Sequence, residues 1–310
     1  MTAAGAAPHG ARCAIGIDVG GTKVLAGLVG ADGAVVRDLE ESTDRAAGAG
    51  VDQALRLARQ LAAHSVRSGL VLVGLGIGLP EAVRRDGTVA TAAVVDWRDQ
   101  DLGRLFAEVA PTTIEADVRC GALAEARAGA GRGAEAFLYV TVGTGVSACP
   151  VLAGRPWPGV RGNAGIVASS GMSVFSAEHG MVTSPPVEMV ASGSALAHRY
   201  ATRSGTPTSR AEEVLAAAAA GDAIARDVIE TGGRALGAIV GVLVNMLDPA
   251  LVVVGGGLGS APGLFWETLL RSVPMHVWAP DSAALPIRHA RLGDRAGMVG
   301  AALAALEPAA

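Results

Sequence analysis

The sequence predicts an α/β protein whose chain is organised in two halves. Short apolar runs, of the kind that form buried strands, alternate with alanine- and leucine-rich segments that have helical spacing. Two regions, 14–29 and 136–151, each read as a strand, a glycine turn and a second strand, and each opens one half of the chain. This order predicts two lobes, each built on its own sheet.

The bulk composition excludes several classes of protein. Half of the 310 residues are hydrophobic and only 17% are charged, which excludes disorder as the main state. The net charge of −4 leaves no basic surplus for nucleic acid or an anionic membrane. Glycine, threonine and proline interrupt the uncharged stretches, so we read these as buried strands and turns and not as membrane spans. The three cysteines are far apart, which disfavours a disulfide framework and fits a cytoplasmic protein.

The predicted elements follow the chain in a simple order. The first half contains a strand over 14–17, a strand over 24–29, a helix over 51–68, a strand over 70–79 and a helix over 119–130. The second half contains strands within 136–151, helices over 188–202, 210–220 and 223–247, a strand over 251–254 and a helix over 296–306. We predict a tail over 1–12, a small lobe over 13–121, a large lobe over 122–295, and a final segment, 296–310, that returns to the small lobe.

The first glycine turn is a candidate phosphate site. In Asp18-Val-Gly-Gly-Thr-Lys23, the two glycines Gly20 and Gly21 would let backbone N–H groups approach a phosphate closely. Thr22 would add a hydroxyl and Lys23 a positive charge, while Asp18 could hold hydrated Mg²⁺. The alternative is an ordinary hairpin with Lys23 in solvent. The spacing is neither that of a Walker A loop nor that of G-x-G-x-x-G.

Two further glycine segments occur in the second half. Gly143-Thr144-Gly145 repeats the strand–turn–strand pattern of the first half, and the strand before Gly255-Gly256-Gly257 ends in three glycines. Glycines at a strand end would let a flat nucleotide approach the backbone. Either segment, taken alone, could equally be a plain glycine-rich turn.

Asp117 is the candidate catalytic acid–base residue. It stands just before a predicted helix, where it could be no more than a helix N-cap. An ionised carboxylate there could also accept a hydroxyl proton during phosphoryl transfer. The residues alone leave both alternatives open.

Together these segments resemble the ROK family of sugar kinases. The resemblance also includes Gly162-Asn-Ala-Gly165, Ala191-Ser-Gly-Ser-Ala-Leu196 and Leu292-Gly-Asp-Arg-Ala-Gly-Met298, in the family's order over nearly the whole chain. It implies a two-lobed, actin-like and ribonuclease-H-like ATPase fold with an ATP cleft between the lobes. It also implies ATP and Mg²⁺ as co-substrate and cofactor, Asp117 as the general base, and a homodimer.

The acceptor site departs from the family pattern. By resemblance, it comprises Ala116 in place of an asparagine, Ile166 in place of a glutamate and Ser169 in place of a histidine. Glu188 matches the second sugar-binding glutamate, while Glu81 replaces a glycine that is normally near the sugar. Asn163, Gly165 and Asp117 complete the set by resemblance. The alternative for Glu81 and Glu188, which we favour less, is a pair of surface glutamates.

The zinc loop of the family is also altered. His179, Met181 and Pro186 stand at its three cysteine positions. Because zinc needs three or four nitrogen or sulfur ligands, we predict no zinc and interpret His179 as an ordinary loop histidine.

The predicted function is ATP-dependent phosphorylation of a primary hydroxyl on a sugar-like molecule. Loss of polar partners from a hexose pocket leaves a sugar hydroxyl unmatched at a cost of about 1–3 kcal/mol, which disfavours glucose. A C7-cyclitol of the valiolone or valienone type, or an aminosugar, should fit better. The alternatives are a degenerate ligand-binding sensor, an ordinary hexose kinase and an acetate-kinase-like enzyme.

Overall fold

The computed structural model describes residues 10–44, 49–171, 174–176 and 181–307, and these form two compact units. The first unit comprises residues 1–133, 154–164 and 294–310, and the second comprises 134–153 and 165–293. In this division residues 122–133 and 154–164 belong to the first unit, whereas the sequence pattern favours the large lobe for both. The predicted lobe boundary at 121/122 stays a prediction.

Strands and helices follow one another along both units. The strands are β1 (Arg12–Val19), β2 (Lys23–Gly30), β3 (Val35–Ser42), β4 (Val71–Leu79), β5 (Thr112–Ala116), β6 (Ala136–Val142), β7 (Val146–Leu152), β8 (Arg155–Pro156), β9 (Val174–Ser176), β10 (Met181–Thr183), β11 (Leu251–Gly255) and β12 (Ile287–His289). The helices are α1 (Ala49–Arg67), α2 (Leu102–Phe106), α3 (Asp117–Ala128), α4 (Glu188–Ala191), α5 (Gly193–Ser204), α6 (Ala211–Ala219), α7 (Ala223–Leu247), α8 (Gly257–Ser260), α9 (Leu264–Ser272), α10 (Pro280–Ala283) and α11 (Ala296–Leu306).

The first unit is built on a five-stranded sheet in the order β3-β2-β1-β4-β5. Strands β1, β2 and β3 form an antiparallel meander, and β1, β4 and β5 run parallel to one another. The near-continuous apolar sequence of β4 is typical of a strand buried on both faces. Helix α1 packs on the sheet through Ala54, Leu57, Ala58 and Leu61, whose spacing places them on one face.

Helix α11 lies directly on the backbone of the first sheet. A Cβ atom on Gly76 of β4 would lie 1.8 Å from the carbonyl oxygen of Ala301, and one on Gly16 of β1 would lie 1.9 Å from that of Met298. Only residues without a side chain permit this approach, which explains the glycines inside these strands. The packing holds the first turn of α11 beside the carboxyl end of β1.

The second unit contains a mixed sheet in which β12, β11, β6 and β7 are neighbours in that order. β6 pairs with β7 in antiparallel and with β11 in parallel orientation. The long helix α7 carries much of the core, which includes Val228, Leu236 and Val240.

The predicted mixture of strands and helices is observed, with small shifts at the boundaries. The helix predicted over 119–130 begins at Asp117, and the helical stretch predicted over 188–202 is divided into α4 and α5 at Ser192. Residues 1–9 of the predicted tail, and His179 of the altered zinc loop, lie outside the described residues. Within the described residues, every helix is too short or too polar to cross a lipid bilayer. Cys13, Cys120 and Cys149 are buried.

Candidate active site

Two carboxylates lie at the same edge of the first sheet. Asp18 is near the end of β1, and Asp117 follows β5 directly as the first residue of α3. Because β1, β4 and β5 are parallel, their carboxyl ends meet at one edge. Asp18 is in register with Gly78 of β4, and Gly78 is in register with Glu115 of β5. Two strand spacings, about 10 Å, therefore separate the backbones of β1 and β5 at this level.

Gly78 of β4 lies between the two carboxylates and has no side chain of its own, and a Cβ atom there would lie 3.2 Å from Sγ of Cys120. A Cβ atom there would lie 3.6 Å from the Cα of Asp117 and 3.7 Å from Oδ1 of Asp18. On its other side, Asp18 lies against the first turn of α11, because a Cβ atom on Gly297 would lie 2.3 Å from its Oδ2. The helix end favours negative charge at this position.

Both carboxylates have a raised pKa. For Asp18, loss of hydration and then the charge of Asp117 raise the pKa to about 7, although Lys23 lowers it. For Asp117, loss of hydration and then the charge of Glu81 raise the pKa to about 6, against the lowering effects of a hydrogen bond from the Val118 N–H and of Arg119. Strongly shifted carboxyl groups in one place are typical of catalytic sites.

Asp117 does not serve as the helix cap. Ala116 occupies the N-cap position of α3 and makes no side-chain cap bond, while Oδ1 of Asp117 accepts a hydrogen bond at 2.6 Å from the N–H of Val118. The capping alternative therefore does not describe this carboxylate, and within the described residues no donor is bonded to its second oxygen.

The first glycine turn follows Asp18 directly in the chain, so the two lie side by side. The N–H of Gly20 donates to the carbonyl of Lys23, and the Thr43 hydroxyl donates to the carbonyl of Gly20. The Thr22 side chain is exposed. Lys23 pairs with Glu40 at 3.2 Å and with Asp294 at 3.3 Å, so its ammonium group already has carboxylate partners. Burial lowers the pKa of Lys23, but these partners outweigh that effect and the pKa is raised.

The second unit brings its two glycine segments together. A Cβ atom on Gly256, whose φ is 79°, would lie 2.5 Å from the carbonyl oxygen of Val142 at the end of β6. The triple glycine thus packs against the turn Gly143-Thr144-Gly145. The N–H of Gly193 donates to the carbonyl of Gly143 at 2.7 Å, which also places the start of α5 at this turn.

Glu188 lies beside the second glycine turn. Its Oε2 accepts a hydrogen bond at 2.8 Å from the N–H of Val146, and a Cβ atom on Gly145 would lie 2.6 Å from the same oxygen. In the same unit, Ile166 is 52% exposed and Ser169 is exposed, while Gly165 packs against the carbonyl of Ala148 with a φ of 80°. Of the predicted acceptor residues of this unit, Ile166 and Ser169 are therefore exposed, while Glu188 and Gly165 are half-buried.

The remaining predicted acceptor residues belong to the first unit. Ala116 is buried, and Asn163 is exposed. Glu81 is only 5% exposed, and its carboxylate accepts hydrogen bonds from Thr91 and from the backbone of 93–95.

Arg119 is a residue of this region that the sequence reasoning missed. It is 4% exposed, pairs with Glu115, and donates at 2.6 Å to the carbonyl oxygens of Gly162 and Val83. One buried guanidinium thus ties two loops to the first turn of α3 that carries Asp117. A charged residue two positions after Asp117, in a stretch from Val118 to Ala124 that is otherwise uncharged, is the signal that could have revealed it.

A cavity of the first unit does not mark this site. It has a volume of about 1160 Å³, lies along β5 and the loop after β4, and includes Arg84, Thr112 and Glu115 but neither Asp18 nor Asp117. The carboxylate pair is therefore identified by its shifted pKa values and by the strand register, and not by the position of this cavity.

The fold and the carboxylate edge are compatible with a phosphotransferase that has an alcohol acceptor and an actin-like ATPase fold, and the comparisons with known proteins show this class. The model of the ROK family matches residues 14–307, and the chain belongs to this family. A glucokinase of Halalkalibacterium halodurans is 30% identical over 93% of this chain and 93% of its own length. A kanosamine kinase of Amycolatopsis mediterranei is 32% identical over 94% of this chain and 96% of its own length.

A solved structure shows the same fold. The ROK glucokinase of Streptomyces griseus, in complex with glucose and AMPPNP, superposes with a TM-score of 0.80 at 26% identity, covering 96% of this chain and 100% of that chain. The predicted fold class, the family and the enzyme class are confirmed, and the chain is a sugar kinase that uses ATP. The acceptor and the roles of individual site residues stay predictions.

Proposed function

We propose that this enzyme transfers the γ-phosphoryl group of ATP to a primary hydroxyl of a modified, sugar-like molecule, with Asp117 as the general base. The observation that carries this proposal is the position of Asp117, on the first turn of α3 beside Asp18, with a raised pKa of about 6. A base with a pKa just below neutrality is ionised at pH 7 and still has appreciable affinity for a proton.

The reaction assigns one task to each group. The acceptor oxygen attacks the γ-phosphorus, the bond from that phosphorus to the β–γ bridging oxygen breaks, and ADP leaves with the bonding electrons. The hydroxyl proton passes to Oδ2 of Asp117, because Oδ1 already accepts the N–H of Val118. Because such transfers depend mainly on alignment and charge stabilisation, the glycine turns are assigned to holding the phosphates. These turns are Gly20-Gly21-Thr22 with Lys23, and Gly143-Thr144-Gly145.

The nucleoside of ATP is assigned to Gly255-Gly256-Gly257. The packing of Gly256 against the end of β6 supports this assignment, because it holds the two glycine segments of the second unit as neighbours. A ligand could then contact both through backbone N–H groups, without an intervening side chain.

Asp18 fits the role of Mg²⁺ ligand, through water. Its carboxylate is a hard oxygen donor beside the phosphate turn, and its ionised form lacks a directly paired cation in the part of the chain that the structure describes. When bound, Mg²⁺ would neutralise charge on the phosphates and keep Asp18 ionised.

The acceptor is proposed to be an aminosugar or, as the second choice, a C7-cyclitol. Around Asp117 the described charges of the first unit are mainly acidic, since Asp18 and Glu81 are carboxylates and Arg119 is paired with Glu115. An ammonium group on the acceptor would be favoured in such surroundings. The similarity to a kanosamine kinase supports the same class of acceptor.

Ordinary hexose phosphorylation is the second candidate function, and the similarity to a glucokinase favours it. The exposed apolar side chain of Ile166, at a position where the family resemblance places a glutamate, argues against it. The homodimer and the cytoplasmic location also stay predictions, and light scattering of the purified protein would test the first.

An acceptor panel tests the proposal. ADP release would be followed with glucose, glucosamine, kanosamine and valiolone at equal concentrations, with ATP and Mg²⁺ present. We expect kcat/KM to be at least tenfold higher for one of the modified acceptors than for glucose. A higher value for glucose would establish the ordinary hexose kinase, and ADP release that is independent of every acceptor would contradict phosphoryl transfer to these sugars.

A further inference from the structure

Glu81 is a buried carboxylate whose hydrogen bonds all lead to one short segment. It follows β4 after Pro80, it is 5% exposed, and it replaces a glycine of the family pattern. Its Oε1 accepts hydrogen bonds from the N–H groups of Val94 at 2.6 Å and Val95 at 2.9 Å. Its Oε2 accepts from the N–H of Ala93 at 2.8 Å and the hydroxyl of Thr91 at 2.5 Å.

These four donors use the acceptor capacity of the carboxylate. An ionised carboxylate offers about four lone-pair sites. Burial by itself raises the pKa of Glu81, but the hydrogen bonds from Thr91 and from the 93–95 backbone outweigh it, so that the pKa is lowered and the group is ionised. Little of this side chain remains to bind a sugar hydroxyl directly.

The segment that Glu81 holds is itself exposed. Residues 91–94 are exposed, and Val94 has 51% of its surface accessible even though its N–H is bonded to the buried carboxylate. A buried ionised group costs free energy unless it is well paired. Here that group orders a segment that lies mostly at the surface, since only Val95 of residues 91–95 packs against the core.

The same segment touches the first glycine turn. A Cβ atom on Gly21 would lie 3.1 Å from Cγ1 of Val94. The chain of contacts therefore runs from the Glu81 carboxylate, through the backbone N–H of Val94, to the side chain of Val94 and the glycine turn that begins after Asp18.

We propose that Glu81 is a positioning residue of the acceptor site, which fixes segment 91–95 as a preformed wall against the glycine turn at Gly21. This inference rests on the proposed kinase function and replaces the direct sugar contact that the sequence suggested for Glu81. The wall presents Ala93 and Val94, and so favours an acceptor that lacks a hydroxyl on the side facing it.

The test compares Glu81→Gln with two other variants. Glutamine keeps the shape of the side chain, but its NH₂ group cannot accept hydrogen bonds from the segment. We expect KM for the best acceptor of the panel to rise at least tenfold at saturating ATP, with kcat changed less than threefold. Thr91→Val, which leaves the three backbone hydrogen bonds, should raise KM about threefold or less. Glu108→Gln, on an exposed glutamate paired with Arg59, is the matched control and should leave both constants unchanged.

Measuring KM and kcat separately distinguishes a loss of positioning from a loss of stability. A variant that merely unfolds in part lowers kcat through the fraction of active enzyme and leaves KM unchanged. An unchanged KM in Glu81→Gln would therefore overturn the inference, whatever happens to its melting temperature.

Hydrogen exchange supplies a readout that needs no substrate. In the full chain, the amides of 93–95 should exchange at least tenfold faster in Glu81→Gln than in the wild type, because they lose their acceptor. Equal rates would overturn the inference even for an enzyme that phosphorylates an unexpected acceptor. Faster exchange in a protein that phosphorylates no acceptor would instead refute the proposed function and leave Glu81 as the anchor of this segment.

Discussion

At the scale of single residues, the site depends on two carboxylates that are kept close to one another. Asp18, near the end of β1, and Asp117, directly after β5, lie on either side of Gly78 in β4, and both have a raised pKa. Two buried carboxylates close together repel one another and so lower the stability of the fold. The same surroundings raise the pKa of Asp117 and make it a suitable base, and such a conflict between stability and activity is common in enzymes.

Asp117→Asn should abolish most of the activity. Asparagine has nearly the same shape but cannot accept the hydroxyl proton, so we expect kcat to fall by about 10²- to 10⁴-fold. Nucleotide binding, measured by calorimetry, should change little. Asp32→Asn, on an exposed hairpin turn where Oδ1 accepts the N–H of Ala34, is the matched control and should retain full activity. Undiminished turnover in Asp117→Asn would remove the base from the mechanism.

The pH dependence of kcat/KM should show an acidic limb that reports the base. Asp117 acts when it is ionised, and its pKa is raised to about 6. Activity should therefore be full above pH 7 and fall about tenfold for each pH unit well below 6. A steady-state profile from pH 4.5 to 8.5 measures this. A limb near the ordinary aspartate pKa of about 4 would contradict the environment described for Asp117.

Stability should depend on pH in the opposite sense. Folding raises the pKa of Asp117 from 3.8 to about 6, because the folded protein favours the protonated carboxyl. The contribution of this group to the free energy of unfolding is therefore fully present below pH 3.8 and is lost as the pH rises through about 6. Asp117→Asn cannot ionise, so at pH 8 its free energy of unfolding should exceed that of the wild type by about 1–3 kcal/mol. Urea unfolding at pH 8 and pH 4 measures this, and the difference should vanish at pH 4. A less stable variant at pH 8 would show that the ionised carboxylate is well stabilised.

The sequence predicts some of these residues better than others. Asp117 is a candidate from the sequence because it stands just before a predicted helix, a local pattern, and because it matches an aspartate of the family pattern. The hydrogen bonds of Glu81 and Arg119 could not, because their partners come from loops whose return to the site depends on the folded chain. Both are buried charges, which sequence alone does not distinguish from surface ones.

At the scale of elements, close contact between α11, α3 and the first sheet holds the carboxylate edge together. A Cβ atom on Gly300 of α11 would lie 1.7 Å from the carbonyl oxygen of Cys120 in α3. Gly297, on the same helix, leaves room for the carboxylate of Asp18. The packing of α11 therefore positions residues from β1 and from α3 at once.

Gly300→Ala should weaken this packing. The added methyl group meets backbone, which cannot move aside as a side chain can, so we expect at least about 2 kcal/mol of destabilisation. Thermal and urea unfolding measure it. Gly103→Ala, on the exposed face of α2 with its nearest contact at 3.8 Å, is the control and should be neutral or slightly stabilising. Equal stability of Gly300→Ala and the wild type would contradict the close approach of α11 to α3.

Most elements could be predicted from the spacing of apolar residues, because α1 and α7 have clear helical periods and β4 is continuously apolar. The predicted start of α3 lies two residues late, since Asp117 reads as a residue before a helix and not as part of one. The glycines inside β1 and β4 carry the packing of α11, which joins the sheet from the far end of the chain and leaves no local signal.

At the scale of the whole molecule, the same strand–glycine turn–strand segment occurs in both units, with different functional residues added in each. Each compact unit contains a strand–glycine turn–strand segment, β1–β2 in the first and β6–β7 in the second. The first unit adds the carboxylates Asp18 and Asp117, and the second adds the triple glycine and Glu188. The repetition of this motif can be seen in the sequence. The assignment of residues 154–164 to the first unit cannot, because it depends on contacts that form only in the folded chain.

The most direct test of the central claim is phosphorus NMR of the wild-type enzyme with ATP, Mg²⁺ and kanosamine or valiolone. We predict that the γ-phosphate signal of ATP disappears while ADP and a phosphomonoester appear in equal amounts, with the new phosphorus coupled to the protons of a CH₂ group, as expected for a primary hydroxyl. Persistence of ATP with every acceptor of the panel, or inorganic phosphate as the only other product, would contradict the assignment of this protein as a kinase of a sugar-like alcohol.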